Sequence, residues 1–151
     1  MGAVLVQDEI YNAFMNKDEK SIDLFHGYTY SAHPLACAAA LAAPKLYDDE
    51  NLFERANELA EYWEDAIHSL KGIRNIIDIR NLGLIGAIEL EPMDGKPTQR
   101  AYNVLCEAFN NQKTLLRVTG DIIALSPPLI IEKNQIDQLV DNLKTTLQQT
   151  E

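Results

Sequence analysis

Residues 73–90 read Ile-Arg-Asn-Ile-Ile-Asp-Ile-Arg-Asn-Leu-Gly-Leu-Ile-Gly-Ala-Ile-Glu-Leu, and here the apolar period of the chain changes from that of a helix to that of a strand. Ile73 to Ile79 and Leu84 to Leu90 are β-branched and apolar, with turn residues Asn81 to Gly83 between them, so the stretch predicts an antiparallel strand pair. Upstream, Leu52, Ala56, Leu59, Trp63, Ile67 and Leu70 recur at three- and four-residue intervals and predict a helix over Asn51 to Lys71, with Asp48 or Asp49 to cap it and Gly72 to follow its end. Downstream, Pro92 to Pro97 is a turn. Thr98 is expected to cap a helix through Asn111 that buries Ala101, Leu105 and Phe109. Leu115 to Val118 and Ile122 to Leu125 form a second hairpin around Thr119, Gly120 and Asp121. A last helix from about Lys133 carries Ile136, Val140, Leu143 and Leu147 on one face.

After residue 47 the order is therefore helix, two strands, helix, two strands, helix. That order predicts an α+β layer, with helices on one face of a small, mostly antiparallel sheet. Before it, Ala3 to Val6 reads as a short buried strand belonging to a sheet further upstream, because a fully apolar strand needs neighbours on both sides. Asp8 to Met15 has helical spacing, and Lys17 to Asp23 is polar loop. Pro34 to Tyr47 reads as a helix of small residues suited to close packing, which Pro44 should kink or end.

Asp and Glu number 23 against 13 Lys and Arg, for a net charge of -10. Nucleic acid and anionic membrane both demand clustered positive charge, so neither is an expected partner. The two cysteines, Cys37 and Cys106, have neither metal-ligand nor redox spacing, which fits a reduced, cytoplasmic protein. The first residues lack the basic start and long apolar stretch of a signal peptide. Pro34 to Leu46, the longest apolar stretch, is too short to span a bilayer.

An acidic chain that binds anions must do so with local donors. His26 to Pro34 reads His-Gly-Tyr-Thr-Tyr-Ser-Ala-His-Pro and runs straight into the alanine-rich helix. Gly27 frees the backbone, Thr29 and Ser31 add hydroxyls, and Pro34 suits the first position of a helix, whose free N–H groups attract a phosphate or carboxylate. Equally, the loop can be polar connection whose hydroxyls cap the helix. Arg117 lies in a short apolar strand, where its planar fork suits a carboxylate; the alternative is an edge-strand arginine paired with Asp121. His26 and His33 have no fixed acidic or cysteine partner, so no metal is expected. Gly83 and Gly86 are followed by a strand instead of a helix, which removes the dinucleotide-binding reading.

The run from His26 to Pro34 resembles the segment that class III aminotransferases, which depend on pyridoxal 5'-phosphate (PLP), carry shortly after their cofactor-binding lysine. Asn75 to Ile88 is similar to the strand pair of β-alanine–pyruvate aminotransferases, and Ser126-Pro127-Pro128-Leu129 to the closing strand of omega-aminotransferases. The resemblance implies that Thr29 bonds the cofactor phosphate of the other subunit, with Gly27 and Tyr28 lining the same loop. It implies that Arg117, within Leu116-Arg117-Val118-Thr119-Gly120-Asp121, grips the substrate carboxylate and swings away for amines that lack one.

Met1 to Val4 resembles the strand just after the Schiff-base lysine, so that lysine is expected upstream of this chain, and Lys17, Lys20 and Lys45 do not sit in its context. The expectation is the C-terminal part of a fold-type I PLP enzyme. Residues 1–46 would be the tail of the large α/β cofactor-binding domain with its connecting helix, and residues 47–151 the small C-terminal domain. The parent would be a homodimer, or a dimer of dimers, moving an amino group from an omega-amino acid or amine to pyruvate, while this chain alone would be inactive. The alternatives are an aminomutase or epimerase on the same scaffold, or a non-enzymatic α+β association module.

Overall fold

The computed structural model describes residues 2–15 and 29–150. These fall into two compact units, Met1–Asp49 and Glu50–Glu151. The first contains α1 (Asp8–Met15) and α2 (Pro34–Asp49), and neither helix buries a residue fully. Ala36, Cys37, Ala40 and Ala43 are half-buried along one face of α2. The expected strand at Ala3 to Val6 does not form: residues 2–7 have no regular structure, and Val4 and Leu5 are exposed. A strand's N–H and C=O groups need a neighbouring ladder, and no ladder among the described residues includes them. Pro44 does not end α2, which continues to Asp49; the proline takes one N–H out of the helix, and Ala40 four residues earlier is the residue whose carbonyl loses that bond.

In the second unit, α3 (Leu52–His68), β1 (Ile76–Leu82), β2 (Ile85–Leu90), α4 (Gln99–Asn110), β3 (Arg117–Thr119), β4 (Ile122–Leu125) and α5 (Lys133–Gln149) follow the expected order. The strands form one antiparallel sheet in the order β1-β2-β4-β3. Ile88 and Leu90 of β2 and Ile123 and Leu125 of β4 point to one face, where Leu59, Trp63 and Ile67 of α3, Ala101, Val104 and Ala108 of α4, and Ile136, Val140, Leu143 and Leu147 of α5 cover them. Each large side chain so buried contributes about 1.5–3 kcal/mol, which is what holds three helices on one side of the sheet.

Side chains at the edges fix how the helices sit. Arg55 Nη1 of α3 donates to the carbonyls of Leu129 at 3.1 Å and Ile131 at 2.7 Å, tying α3 to the segment leading into α5. The Tyr62 hydroxyl donates to Asp137 at 2.5 Å, and Lys133 Nζ lies 4.7 Å from the Tyr62 ring centre. The carboxylate accepting that bond raises the Tyr62 phenol above its ordinary pKa.

Three local expectations are revised. Asn51, in the left-handed region at φ 48°, precedes α3, because Asp48 and Asp49 still belong to α2. Thr98 precedes α4 but makes no side-chain cap; its N–H donates to Asp121 Oδ2 at 2.7 Å. On α4 the buried residues are Ala101, Val104 and Ala108, while Leu105 is half-buried and Phe109 is 56% exposed. The smaller side chains face the core where α4 meets β3 and α5, and the phenyl ring stands outside it.

Candidate functional site

Thr29 begins the turn 29–32 that leads into α2. Ala32 takes a left-handed φ of 56°, which reverses the chain, and the His33 carbonyl accepts the Cys37 N–H at 2.9 Å as the first helical bond. The chain therefore places an exposed threonine in the turn that leads to the positive end of a 16-residue helix. Gly27 and Tyr28, expected to line the same loop, and His26 lie outside the described residues.

Arg117 belongs to the second unit. It starts β3, an edge strand of the sheet, with Ala124 of β4 as its partner across the ladder. Val118 pairs with the fully buried Ile123, so Val118 faces the core and Arg117 faces outward. Asp121 does not neutralise it: its Oδ2 accepts the Thr98 N–H, and its carbonyl accepts the Leu90 N–H at 2.8 Å. Among the described residues Arg117 has no ion-pair or hydrogen-bond partner, whereas Arg80 is held by Asp78 at 2.6 Å and Glu89 at 2.8 Å. An uncommitted guanidinium retains its whole fork for an incoming carboxylate.

Beside Arg117 is a cavity of about 320 Å³, lined also by Leu116, Ala124, Leu125, Ser126 and Pro127 among others. Local patterning marks the Ser-Pro-Pro segment as the close of a strand and does not reveal its place beside Arg117, which follows from the antiparallel pairing of β3 with β4. His33 is exposed in the turn before α2, and no group of three or more His, Cys, Asp or Glu among the described residues is placed to hold a metal ion. No helix among them is long and apolar enough to cross a membrane.

Comparison with known proteins matches residues 1–147 to the family described as aminotransferase class-III. An omega-aminotransferase of Caulobacter vibrioides is 53% identical over 150 residues, covering 99% of this chain and 34% of the relative. A beta-alanine–pyruvate aminotransferase of Pseudomonas aeruginosa is 43% identical over 143 residues, covering 93% of this chain and 32% of the relative. The chain thus spans about a third of the length of the curated relatives it matches. Among solved structures, an adenosylmethionine-8-amino-7-oxononanoate aminotransferase of Methanocaldococcus jannaschii superposes with a TM-score of 0.75 at 30% identity, over 95% of this chain and 34% of that one. A thermostable omega transaminase variant from Pseudomonas jessenii gives 0.73 at 27% identity, over 82% and 29% of the two chains.

Proposed function

The chain belongs to the class-III aminotransferase family, and on that premise we propose that it is the C-terminal part of a PLP-dependent enzyme that moves an amino group from an omega-amino acid or amine to pyruvate. The observation that carries this reading is the family match across residues 1–147, joined to an arginine with an unoccupied fork at the edge of the sheet. The names of the relatives supply the substrate class: an omega-amino acid such as β-alanine as donor and pyruvate as acceptor.

Within this reading, residues 1–46 are the tail of the cofactor-binding domain with the connecting helix, and residues 47–151 are the small domain. The turn at Thr29 suits a phosphate: a residue with a neutral hydroxyl stands in the turn that leads into a helix start, where a phosphate group finds free N–H groups. Thr29, Tyr28 and Gly27 would hold the phosphate of PLP seated in the other subunit of a homodimer or dimer of dimers. Bound PLP supplies the electron sink for the amino group's transfer. Arg117 receives the substrate carboxylate in two parallel hydrogen bonds and so orients the amine at the far end of the molecule. Lys17, Lys20 and Lys45 lie outside the family's context for the anchoring lysine, so the 151-residue chain by itself is expected to be inactive. The cytoplasm, where thiols such as Cys37 and Cys106 stay reduced, is the compartment proposed for the parent.

The test is Arg117→Ala in the full-length enzyme, assayed with β-alanine and with an amine that has no carboxylate. Loss of a charge-assisted bond of about 1.5–3 kcal/mol lowers kcat/KM for β-alanine roughly tenfold to 150-fold and spares the simple amine. Equal losses for the two substrates would assign Arg117 a structural role.

A further inference from the structure

We infer that Ser126 is a second carboxylate contact, its hydroxyl donating to the same substrate carboxylate that the Arg117 fork holds; this rests on the reading of Arg117 given above. Arg117 and Ala124 are partners on the outward face of the sheet. Leu125 turns inward and is buried, so the next residue, Ser126, returns to the outward face, where it is exposed. Ser126 stands one residue past the end of β4 and two past Ala124, the cross-strand partner of Arg117, which keeps it at the same end of the sheet.

Arg117 and Ser126 also line one cavity, and among the described residues they are the polar side chains in its lining; the other members are leucines, an alanine and the two prolines that follow Ser126. A mostly apolar cavity with a few convergent polar groups is the usual form of a small-molecule site, and about 320 Å³ lies at the small end of that range. Neither polar group is committed elsewhere among the described residues. Pro127 and Pro128 lack N–H groups, so the side-chain donor of this segment is the Ser126 hydroxyl, and Pro127 holds Ser126 extended. One cation, one neutral donor and no acid make a site for an anion. Leucine and proline walls suit a short aliphatic chain, so the ligand class is a short aliphatic carboxylate, such as a small omega-amino acid.

The experiment compares Ser126→Ala and Ser126→Thr with Arg117→Ala in the full-length enzyme, using β-alanine and an amine without a carboxylate. Ser126→Ala is expected to raise KM for β-alanine about tenfold more than KM for the simple amine, with threonine restoring it because the hydroxyl returns. Equal changes for both substrates, no change in KM for β-alanine, or alanine and threonine behaving alike would overturn the role of Ser126. If Arg117→Ala distinguishes the substrates while Ser126→Ala does not, this inference alone falls. If Arg117→Ala fails to distinguish them, the reading of Arg117 falls and this inference goes with it.

Discussion

Arginines of this chain show how one side chain is put to different ends by what lies within its reach. Arg55 is consumed by two backbone carbonyls, Arg80 by two carboxylates, and Arg100 by the Glu91 carbonyl at 2.6 Å, so each fastens one segment to another. Among the described residues Arg117 has no such tie, which is why it is the arginine proposed for the substrate carboxylate. Thr29, proposed for the cofactor phosphate, would work with less: one uncharged hydroxyl in the turn that leads into α2. In the full-length enzyme Thr29→Ala is expected to weaken PLP retention by about 1.5–3 kcal/mol, the worth of a hydrogen bond to a charged group. Equilibrium dialysis reads this directly, and unchanged affinity would remove Thr29 from the cofactor site.

At the scale of elements, the contact of α3 with β2 depends on a missing side chain. A Cβ built on Gly86 would lie 3.0 Å from Ile67 Cδ1 and 3.4 Å from the Trp63 ring, so any added side chain makes those two residues of the helix give way. The same closeness encloses the Trp63 indole nitrogen, which is buried with no hydrogen-bond partner among the described residues. Gly86→Ala is expected to destabilise the fold by about 1–3 kcal/mol through overpacking, measurable as a lowered midpoint in urea. A midpoint that stays or rises would mean that α3 shifts freely. Sequence alone exposed this layer well: Leu59, Trp63 and Ile67 mark the inner face of α3, and the four strands follow in number and order, although β1 begins at Ile76 and takes in Asn81 and Leu82 from the expected turn, and β3 begins at Arg117 and takes in Thr119. Other details depended on distant partners. Thr98 gives its N–H to Asp121, which local reading cannot foresee, and the inward face of α4 is selected by the room β3 and α5 leave, which takes Val104 and Ala108 and excludes Phe109. Ala3 to Val6 carries strand-forming residues, but a strand exists only where another edge receives it. Of the proposed carboxylate site, Arg117 stands out in the sequence as a lone charge in an apolar run, while Ser126 draws notice only from the cavity it shares with Arg117.

For the whole molecule, the division at Asp49 separates two kinds of chain. Among the described residues every buried hydrophobic one lies in Glu50–Glu151, whereas those before it leave Val4, Leu5, Leu35 and Leu41 more than three-quarters exposed. Residues 50–151 expressed alone should therefore unfold in one cooperative thermal transition, followed by circular dichroism at 222 nm. A broad, non-cooperative melt would show that the first unit supplies stability that its burial does not reveal.

The strand order β1-β2-β4-β3 also sets a timetable for the newborn chain. β1 and β2 are neighbours in sequence and close as soon as residue 90 is free, but the middle of the sheet, where Ile88 meets Ile123, must wait until α4 and the second hairpin have been synthesised. At about 5–20 residues per second that wait lasts seconds, an interval far longer than a hairpin needs to form. Through it Ile88 and Leu90 stay uncovered by β4 and α5, so the moment of greatest aggregation risk falls on the ribosome and not in the finished protein.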